Sequence, residues 1–362
     1  MNSLPPLDEM LQKLHETKGS DLHLKVGSPP AFRIDGELHL SNLDPLTSQD
    51  TANYAEEILT ERVAAAFEET NEADFAFGKP SLGRFRVNCY RQRGSVNIVI
   101  RAVSPASQQF AELGLPDMVG KLCDKKRGLI LVTGPTGSGK STTLGAMIDH
   151  INSSRRANII TLEDPIEILH PDKKSIVSQR EVGVDTDSFA EGLRRVLRQD
   201  PDVILIGEMR DRATVEAALT AAETGHLVLS SLHTIDTIES VNRIIDFFST
   251  DHQQQVRLML ASTLSAVLSQ RLIPRSDGQG RVPAMELLIN TERVSERIID
   301  PTQTHTLVSV VAEGAYYGMQ SFDQAILELY RDGVINFQDA LVHASNPTDF
   351  KLQVQTTGLM TA

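Results

Sequence analysis

The spacing of hydrophobic residues over roughly the first hundred positions predicts a small domain that combines helices with an antiparallel sheet. Helical spacing covers residues 7–17 and 51–67. Elsewhere in this part, apolar and polar residues alternate in short runs, as they do in strands with one buried face. A turn at Asp35-Gly36 follows one of the runs. The alternating runs are residues 21–26, 31–34, 74–77, 83–87 and 96–101.

The pattern changes after about Leu115, where short apolar runs alternate with segments of helical spacing. Such alternation predicts a parallel sheet with helices on both faces, and the chain beyond about residue 253 is expected to be mostly helical. The predicted strands are residues 128–133, 157–162, 203–207 and 227–232, and the predicted helices are residues 141–152, 188–199 and 214–224. We therefore expect an α/β protein divided into an N-terminal domain (1–102), a linker (103–114), a second domain (115–290), a C-terminal helical region (291–350) and a polar tail (351–362).

Composition narrows the classes to which this protein can belong. Its 362 residues include 35 Lys plus Arg and 48 Asp plus Glu, so the formal net charge is −13. That balance argues against a protein that coats nucleic acid, because phosphate neutralisation needs a basic surface. No apolar run reaches the length of a membrane span, and the N-terminus lacks the features of a secretory signal, so we expect a cytoplasmic protein. The two cysteines, Cys89 and Cys123, are too few for a four-cysteine zinc site and are expected to be free thiols.

The segment GPTGSGKS at residues 134–141 fits the phosphate-binding loop pattern G-x-x-x-x-G-K-[ST], between a predicted strand and a predicted helix. The glycines let backbone amides wrap a phosphate, and the helix N-terminus adds positive potential. Lys140 is expected to reach the β- and γ-phosphates and Ser141 to bind Mg²⁺. The alternative is a glycine-rich turn that binds nothing. The predicted nucleotide-binding residues are Gly134, Pro135, Thr136, Gly137, Ser138, Gly139, Lys140, Ser141 and Thr142.

Two acidic positions follow predicted strands downstream of this loop. Glu208 ends the run 202–208, and Glu163 with Asp164 follows the strand at 157–162. Open α/β sheets bind ligands at the carboxyl ends of their strands. Nucleotide hydrolysis needs a carboxylate near the metal and a group that orients the attacking water. A strand-end carboxylate can also be merely solvated, and spacing alone does not assign which acid is the base.

Histidines and arginines are further candidates. His226 and His233 flank the predicted strand 227–232, and their odd separation places them on opposite faces of an unbroken strand, which disfavours joint metal binding. Either could sense the γ-phosphate or a neighbouring subunit, but an ordinary partly buried histidine is the better interpretation from these residues alone. An arginine supplied across a subunit interface stabilises phosphoryl-transfer charge. The candidate arginines are Arg84, Arg86, Arg91, Arg93, Arg101, Arg194, Arg195 and Arg198.

Four segments, in this order, resemble those of the ATPases of type II and type IV secretion systems. They are GPTGSGKSTT, ITLEDPIE, RQDPDVILIGEMRD and ETGHLVLSSLHT, which that family calls Walker A, Asp box, Walker B and His box. The stretches SDLHLKVGSPPAFRIDGEL, RFRVN and GMQSFDQAILELY extend the resemblance over nearly the whole chain. Within the family the chain is most similar to the type IV pilus retraction motors, because it has room for neither the longer N-terminal extension nor the four-cysteine insertion usual in assembly motors.

The resemblance implies a PAS-like N-terminal α/β domain joined to a RecA-like P-loop ATPase domain, assembled as a homo-hexamer that uses ATP and Mg²⁺. By position, Glu163 is similar to the catalytic carboxylate of the Asp box and Glu208 to the Walker B acid, which would bind Mg²⁺ together with Ser141. Arg86 and Arg101 are expected to reach the nucleotide of a neighbouring subunit. The implied catalytic residues are Lys140, Glu163, Glu208, His226, His233, Arg86 and Arg101.

The implied function is ATP-driven retraction of type IV pili at the inner face of the cytoplasmic membrane, with a membrane platform protein as partner and no nucleic acid. One segment departs from the retraction pattern. Retraction motors commonly show AIRNLIRE before a Thr-His pair, whereas this chain has VSERIIDP at residues 294–301, with Glu296 in place of an arginine. The alternatives are an accessory paralogue that assists a principal motor, the motor of another pilus-like or type II secretion-like machine, a nucleic-acid translocase and a non-enzymatic ring.

Overall fold

The computed structural model describes residues 4–34, 36–79, 82–105 and 109–357. The chain divides into two compact units, residues 1–105 and 106–362. The division lies within the segment 103–114 that was predicted as a linker, of which residues 106–108 are outside the described part. Asp35, predicted in a turn with Gly36, is also outside it.

The first unit is an antiparallel sheet of six strands in the order β3-β2-β1-β6-β5-β4, together with three helices. Its helices are α1 (Leu7–Glu16), α2 (Ser48–Ile58) and α3 (Glu61–Thr70). Its strands are β1 (Asp21–Leu24), β2 (Ala31–Ile34), β3 (Glu37–Leu40), β4 (Glu72–Lys79), β5 (Gly83–Gln92) and β6 (Ser95–Ala102), and a two-residue strand, β7 (Ser104–Pro105), follows. The strands predicted from alternating polarity are therefore confirmed, with longer bounds in β4, β5 and β6 and a shorter one in β1, which ends at Leu24 instead of residue 26.

One face of this sheet is buried and the other is not. Along β5, Phe85, Val87 and Cys89 are buried in the core that the sheet shares with the helices. Arg86, between them, points to the opposite face and is only partly covered. This alternation follows from the two-residue repeat of a strand.

The helix predicted over residues 51–67 is two helices. Leu59 ends α2 in an extended conformation, and Thr60, also extended, is the N-cap residue of α3. Two consecutive residues in the extended conformation cannot belong to a helix, so α3 starts anew at Glu61 instead of continuing α2. The apolar spacing continues across the break, which is why the sequence pattern did not reveal it.

The second unit is built on a seven-stranded sheet in the order β11-β9-β12-β13-β8-β14-β15. All neighbouring strands are parallel except the final pair, β14 and β15. The strands are β8 (Gly128–Thr133), β9 (Asn158–Glu163), β11 (Ile176–Glu181), β12 (Val203–Ile206), β13 (Leu227–Leu232), β14 (Leu264–Pro274) and β15 (Arg281–Ile289), and a short strand, β10 (Ile168–Leu169), lies outside this sheet. The helices are α4 (Asp117–Cys123), α5 (Lys140–Ser154), α6 (Phe189–Val196), α7 (Arg212–Glu223), α8 (Thr237–Asp246), α9 (Thr250–Thr263), α10 (Glu292–Ile299), α11 (Leu307–Glu313), α12 (Phe322–Arg331), α13 (Phe337–His343) and α14 (Pro347–Thr356), with 3₁₀ turns at Thr304–Thr306 and Gly314–Tyr317.

Both faces of this second sheet are buried. On β8, Leu129 and Leu131 belong to one hydrophobic core, and Ile130 and Val132 belong to another on the opposite face. A strand covered on both sides is apolar along its whole length, which is why β8 reads as an unbroken hydrophobic run. The predicted parallel sheet covered on both faces is confirmed, apart from its antiparallel edge strand.

The prediction that the chain beyond residue 253 is mostly helical is wrong for residues 264–289, which form β14 and β15. The first seven residues of β14 are all buried, so the segment shows no two-residue alternation. Periodicity alone cannot distinguish such a strand from a buried helix. Residues 351–356, predicted as part of a polar tail, belong to α14, where Phe350 and Val354 are buried; residues 358–362 lie outside the described part.

Over the described ranges, no helix combines the length and the apolar composition that crossing a membrane would require. The two cysteines are free, and each is buried, Cys89 in the first unit and Cys123 in the second.

Candidate nucleotide-binding and catalytic site

The phosphate-binding loop joins β8 to α5, and its path leaves no room for side chains at two of its glycines. Gly134 and Gly139 have positive φ angles of 146° and 89°, which residues with a side chain rarely adopt. A Cβ atom on Gly134 would lie 2.4 Å from the carbonyl oxygen of Gln270, and one on Gly139 would lie 2.8 Å from its Nε2 atom. The loop can therefore present backbone amides to an anion, and the N-terminus of α5 starts at the same place.

A cleft of about 550 Å³ lies beside this loop, and its size suits a small-molecule ligand. The residues predicted to bind nucleotide that line it are Thr136, Gly137, Gly139, Lys140, Ser141 and Thr142. Gly134 and Pro135 contribute carbonyl groups next to Lys140, and Ser138 is buried. The cleft also contains Glu163, Glu208 and His233, so the loop, both strand-end acids and one histidine are brought together.

The Lys140 side chain is folded back onto the loop. Its Nζ atom donates hydrogen bonds to the carbonyl oxygens of Gly134, at 2.9 Å, and Pro135, at 3.1 Å. Burial lowers the pKa of the Lys140 ammonium, and the carboxylates of Glu208 and Glu167 offset only part of that effect. The amine is thus held at the mouth of the loop, where it can exchange these carbonyl contacts for phosphate oxygens.

Lys140, His233 and Glu208 form a connected chain of polar groups. The Nδ1 atom of His233 is 3.5 Å from Lys140 Nζ, and its Nε2 atom is 3.3 Å from Glu208 Oε2. With the proton on Nε2, the imidazole donates to Glu208 and accepts from Lys140, so one tautomer satisfies both contacts. The other carboxylate oxygen of Glu208 lies 2.5 Å from a guanidinium nitrogen of Arg210. Glu208 is therefore ion-paired and oriented although only 8% of it is exposed.

Glu163 is the last residue of β9 and is 9% exposed. Its Oε1 atom accepts hydrogen bonds from Thr161 Oγ1, at 2.7 Å, and from Gln179 Nε2, at 3.0 Å. Burial raises the pKa of the Glu163 carboxyl, and these hydrogen bonds offset only part of the rise. A carboxylate with a raised pKa is a stronger base toward a proton, which suits a group that accepts one from water.

The two predicted histidines lie at opposite ends of β13. His233 follows the strand and reaches the cleft, whereas His226 precedes it and lies at the other edge of the sheet. His226 Nδ1 is 2.9 Å from the carbonyl oxygen of Ala221 and 3.2 Å from Thr224 Oγ1. A six-residue strand spans roughly 20 Å, so His226 is not part of the cleft within its own chain, and its catalytic role stays a prediction.

Arg86 and Arg101 lie in the first unit, directly opposite each other on β5 and β6. Arg101 Nε donates a hydrogen bond of 2.7 Å to Asp21 Oδ1, although 62% of the arginine side chain is exposed. Asp21 itself is buried. The guanidinium is thus anchored at one nitrogen while most of the group remains accessible, and the predicted role of both arginines across a subunit interface stays a prediction.

Gln270 and Arg210 contact the loop or the acids, and the sequence prediction included neither. Gln270, on β14, donates from Nε2 to the carbonyl oxygen of Ser138 at 2.8 Å and accepts from Thr143 Oγ1 at 2.8 Å. It therefore braces the loop and the start of α5 together. Gln270 could be predicted from the sequence only if β14 were recognised as the neighbour of β8. Arg210 lies within the Walker B segment and lines the cleft.

Comparison with known proteins places these features in a family context. The family model described as Type II/IV secretion system protein matches residues 5–306. The type IV pilus retraction ATPase PilT of Pseudomonas aeruginosa is 41% identical over 344 residues, which are 95% of this chain and 99% of that protein. The type IV pilus ATPase PilU of the same organism is 40% identical over 348 residues, 96% of this chain and 91% of that protein. The two identities are too similar to distinguish between these relatives.

A solved structure of the pilus retraction motor PilT with bound ADP matches with a TM-score of 0.88 and 45% identity, covering 96% of this chain and 100% of that one. The X-ray structure of the Legionella pneumophila ATPase DotB matches with a TM-score of 0.81 and 26% identity, covering 97% of this chain and 95% of that one. These matches confirm the predicted fold class, an α/β protein with an N-terminal domain and a C-terminal RecA-like ATPase domain.

Proposed function

We propose a pilus-retraction motor as the function of this chain, which belongs to the type II/IV secretion system protein family and is an ATPase. Six copies form a ring, and ATP hydrolysis drives the disassembly of a type IV pilus and hence twitching motility. The observation that carries the proposal is the likeness to the retraction ATPase PilT over 95% of the chain. The polar groups gathered in the cleft supply chemistry that fits this activity.

The substrate in this proposal is ATP with its Mg²⁺. Residues 134–142 hold the phosphates, and Lys140 binds the β- and γ-phosphates. Ser141 and Glu208 hold the metal ion; both line the cleft, and a hydroxyl paired with a carboxylate is the usual donor set of P-loop enzymes. His233 lies between Lys140 and Glu208, so it can respond to the γ-phosphate from the metal side.

Glu163 is the residue that orients the attacking water and accepts its proton. Its support is threefold: the carboxyl lies in the same cleft as Lys140, it is buried, and its pKa is raised by that burial. Water attack on the γ-phosphorus breaks the bond to the β-phosphate oxygen and releases ADP and phosphate, and the proton of the water passes to the carboxylate. Glu208, which is ion-paired with Arg210, is the acid that holds the metal ion.

A neighbouring subunit completes the site with Arg86 and Arg101, which neutralise charge that develops on the phosphoryl group. The support from this chain is the exposure of Arg101 combined with its anchor on Asp21. The ring works at the inner face of the cytoplasmic membrane, where a platform protein of the pilus machine is its partner. No nucleic acid takes part, and ATPase activity stimulated by DNA would contradict this.

The decisive experiment is complementation of a strain that lacks the gene, with the wild-type protein or with Lys140→Ala. We expect the deletion to lose twitching and to accumulate surface pili, and only the wild-type protein to restore both. Equal rescue by Lys140→Ala would contradict an ATP-driven motor. Normal retraction in the deletion strain would leave the ATPase activity in place and contradict a principal retraction role.

A second candidate function, an accessory motor that assists a principal one, is favoured by two observations. Identity to PilU is 40% over 96% of the chain, and Glu296 with its neighbours departs from the segment usual in retraction motors. In that case the deletion would weaken retraction against load without abolishing it. Twitching measured on agar of increasing stiffness distinguishes a graded loss from a complete one.

A further inference from the structure

Gln179 occupies an unusual position among the residues around Glu163. It lies on β11, where its backbone pairs with Thr161 of the neighbouring parallel strand β9. Its Nε2 atom donates to Glu163 Oε1 at 3.0 Å and to the carbonyl oxygen of Ile168 at 2.8 Å, and its Oε1 atom accepts from the backbone N–H of His170 at 2.8 Å. Both amide protons and the amide oxygen are therefore engaged.

The segment after Glu163 is held by alternate residues of β11. Gln179 bonds the backbone at Ile168 and His170, and Glu181 Oε2 accepts from the backbone N–H of Ile166 at 3.1 Å. On its other side, the segment packs against the helix of the phosphate-binding loop: a Cβ atom on Gly145 would lie 2.6 Å from Ile168 Cδ1. Residues 166–170 are thus fixed between α5 and β11, and Glu167, Ile168 and His170 line the cleft.

We propose that Gln179 is a positioning residue for ATP hydrolysis, which fixes the Glu163 carboxylate and couples its orientation to the segment 166–170. Thr161 and Gln179 converge on the same oxygen of Glu163, from β9 and β11 respectively. Two donors on one oxygen fix both the rotation of the carboxylate and its depth in the cleft. Because the same amide holds Ile168 and His170, a shift of that segment changes the donor geometry at the carboxylate. This inference rests on the proposed role of Glu163.

The side-chain amide of Gln179 also offsets part of the unfavourable effect of burial on the ionised form of the Glu163 carboxyl. A hydrogen bond to the ionised form of a carboxyl favours ionisation, whereas burial and a nearby like charge oppose it. Here burial and the negative charge of Glu167 act against ionisation of Glu163, and the donors Thr161 and Gln179 act for it. The titratable or charged groups that line the cleft or flank Glu163 are Asp164, Glu167, His170, Glu181, Lys140, Glu208, Arg210, His233 and Arg281.

The test is the pH profile of ATP turnover by the full-length protein, from pH 5 to 9, for two variants of this glutamine. Gln179→Glu retains an acceptor for the His170 N–H but adds a like charge beside Glu163. It should lower kcat at pH 7 by on the order of 10-fold and move the acid limb about one pH unit higher. Gln179→Leu removes the donor without adding charge and should shift the same limb in the same direction by less. The KM for ATP should change by no more than about twofold, since neither variant removes a phosphate contact.

Ser178→Ala, one residue earlier on β11 with an exposed side chain, is the matched control and should keep the wild-type profile. Thermal unfolding of each variant checks the fold; if Gln179→Leu does not fold, the profile of Gln179→Glu decides. An unchanged acid limb in a folded variant, or a KM effect with normal kcat, would overturn the inference. Glu163→Gln separates the two hypotheses: retained turnover in that variant would refute the role of Glu163 itself, whereas lost turnover together with normal Gln179 variants would refute only the positioning role.

Discussion

The two sheets of this protein place their candidate functional side chains in different ways. In the six-stranded sheet of the first unit, one face is open, so polar residues such as Arg86 and Arg101 stand on the strands themselves. In the seven-stranded sheet of the second unit, both faces are covered by hydrophobic cores. There the two candidate acids and the histidine of the cleft lie at the ends of strands: Glu208 and His233 follow β12 and β13, and Glu163 is the last residue of β9.

The difference has a physical cause. A charged side chain in the middle of β8 would be desolvated on either face, at a cost of several kcal/mol. Charged side chains are therefore tolerated at the edge of the sheet, where the strands end. On the half-open sheet the same charge costs little, and the strand holds it at a fixed spacing. A rigid strand can therefore present an arginine outward in one unit, while in the other it delivers a carboxylate to the floor of a cleft.

The largest expected effect is at the strand end. Glu208→Gln removes the charge that would hold Mg²⁺ while leaving the shape of the side chain, so we expect turnover to fall by at least about 100-fold with ATP still bound. Phosphate release and retention of a fluorescent ATP analogue measure the two properties. Arg212→Ala, on the exposed start of α7, is a control that should keep near-normal turnover. Normal phosphate release by Glu208→Gln would contradict a role for this acid in ATP hydrolysis.

A smaller but still large effect is expected on the open strand face. Arg101→Ala should lower kcat by on the order of 10- to 100-fold if the guanidinium acts on the nucleotide of a neighbouring subunit. Mixing Arg101→Ala with Lys140→Ala subunits should then restore part of the activity, because each variant supplies what the other lacks. Lys79→Ala, whose native side chain pairs with Asp8 and Glu57 in the same unit, should behave like wild type. Failure of the mixture to regain activity would argue against a role across the interface.

The effect of substitutions on the free energy of unfolding should also differ between the two sheets, by a few kcal/mol. On β8, Leu131→Ala and Val132→Ala face opposite cores, and both should be destabilising, by about 1–4 kcal/mol. On β5, Val87→Ala should be similarly costly, whereas the neighbouring Asn88→Ala should change the free energy of unfolding by less than about 0.5 kcal/mol. Urea unfolding measures all four. A neutral Val132→Ala would mean that one face of the second sheet is less tightly packed than its burial implies.

The smallest effects are expected from two buried carboxyls with opposite shifts. Burial opposes ionisation of Asp21, but hydrogen bonds from Ser20 and Arg101 outweigh it, so its pKa is lowered; the stability it contributes is present above its unfolded pKa and is lost as the pH falls through the folded value. Burial raises the pKa of Glu163, so its contribution is present below its unfolded pKa and is lost as the pH rises through the folded value.

Asp21→Asn should therefore lower the melting temperature at pH 7, by on the order of 2–4 °C, and by less at pH 3. Glu163→Gln should have the opposite sign, raising the melting temperature at pH 8 with little change at pH 4. Thermal melts across this range, with the exposed Ser178→Ala variant as reference, test both signs. A Glu163→Gln variant that is destabilised at pH 8 would mean that the two hydrogen bonds on Oε1 outweigh burial.

The sequence could predict those parts of the site whose residues lie close together along the chain. The phosphate-binding loop is continuous in sequence, and Glu163 and Glu208 follow apolar runs that are recognisable one at a time. Gln270 was missed because it contacts Ser138 across 132 positions, and because the uniform burial of β14 hides its strand character. Gln179 was missed because β11 is an edge strand with little apolar content. Tertiary pairing, which no local pattern encodes, decides the placement of both glutamines.

The burial of both cysteines has a practical consequence for watching this protein work. Burial raises the pKa of Cys89 and of Cys123 to about 12, so at neutral pH neither provides the thiolate that reacts with maleimide dyes. A single cysteine introduced at the exposed Ser178, or at Tyr316, which is 92% exposed, would therefore bind one dye per chain, with little labelling of the native thiols. Site-specific fluorescent labelling of this protein therefore does not require removal of its native cysteines.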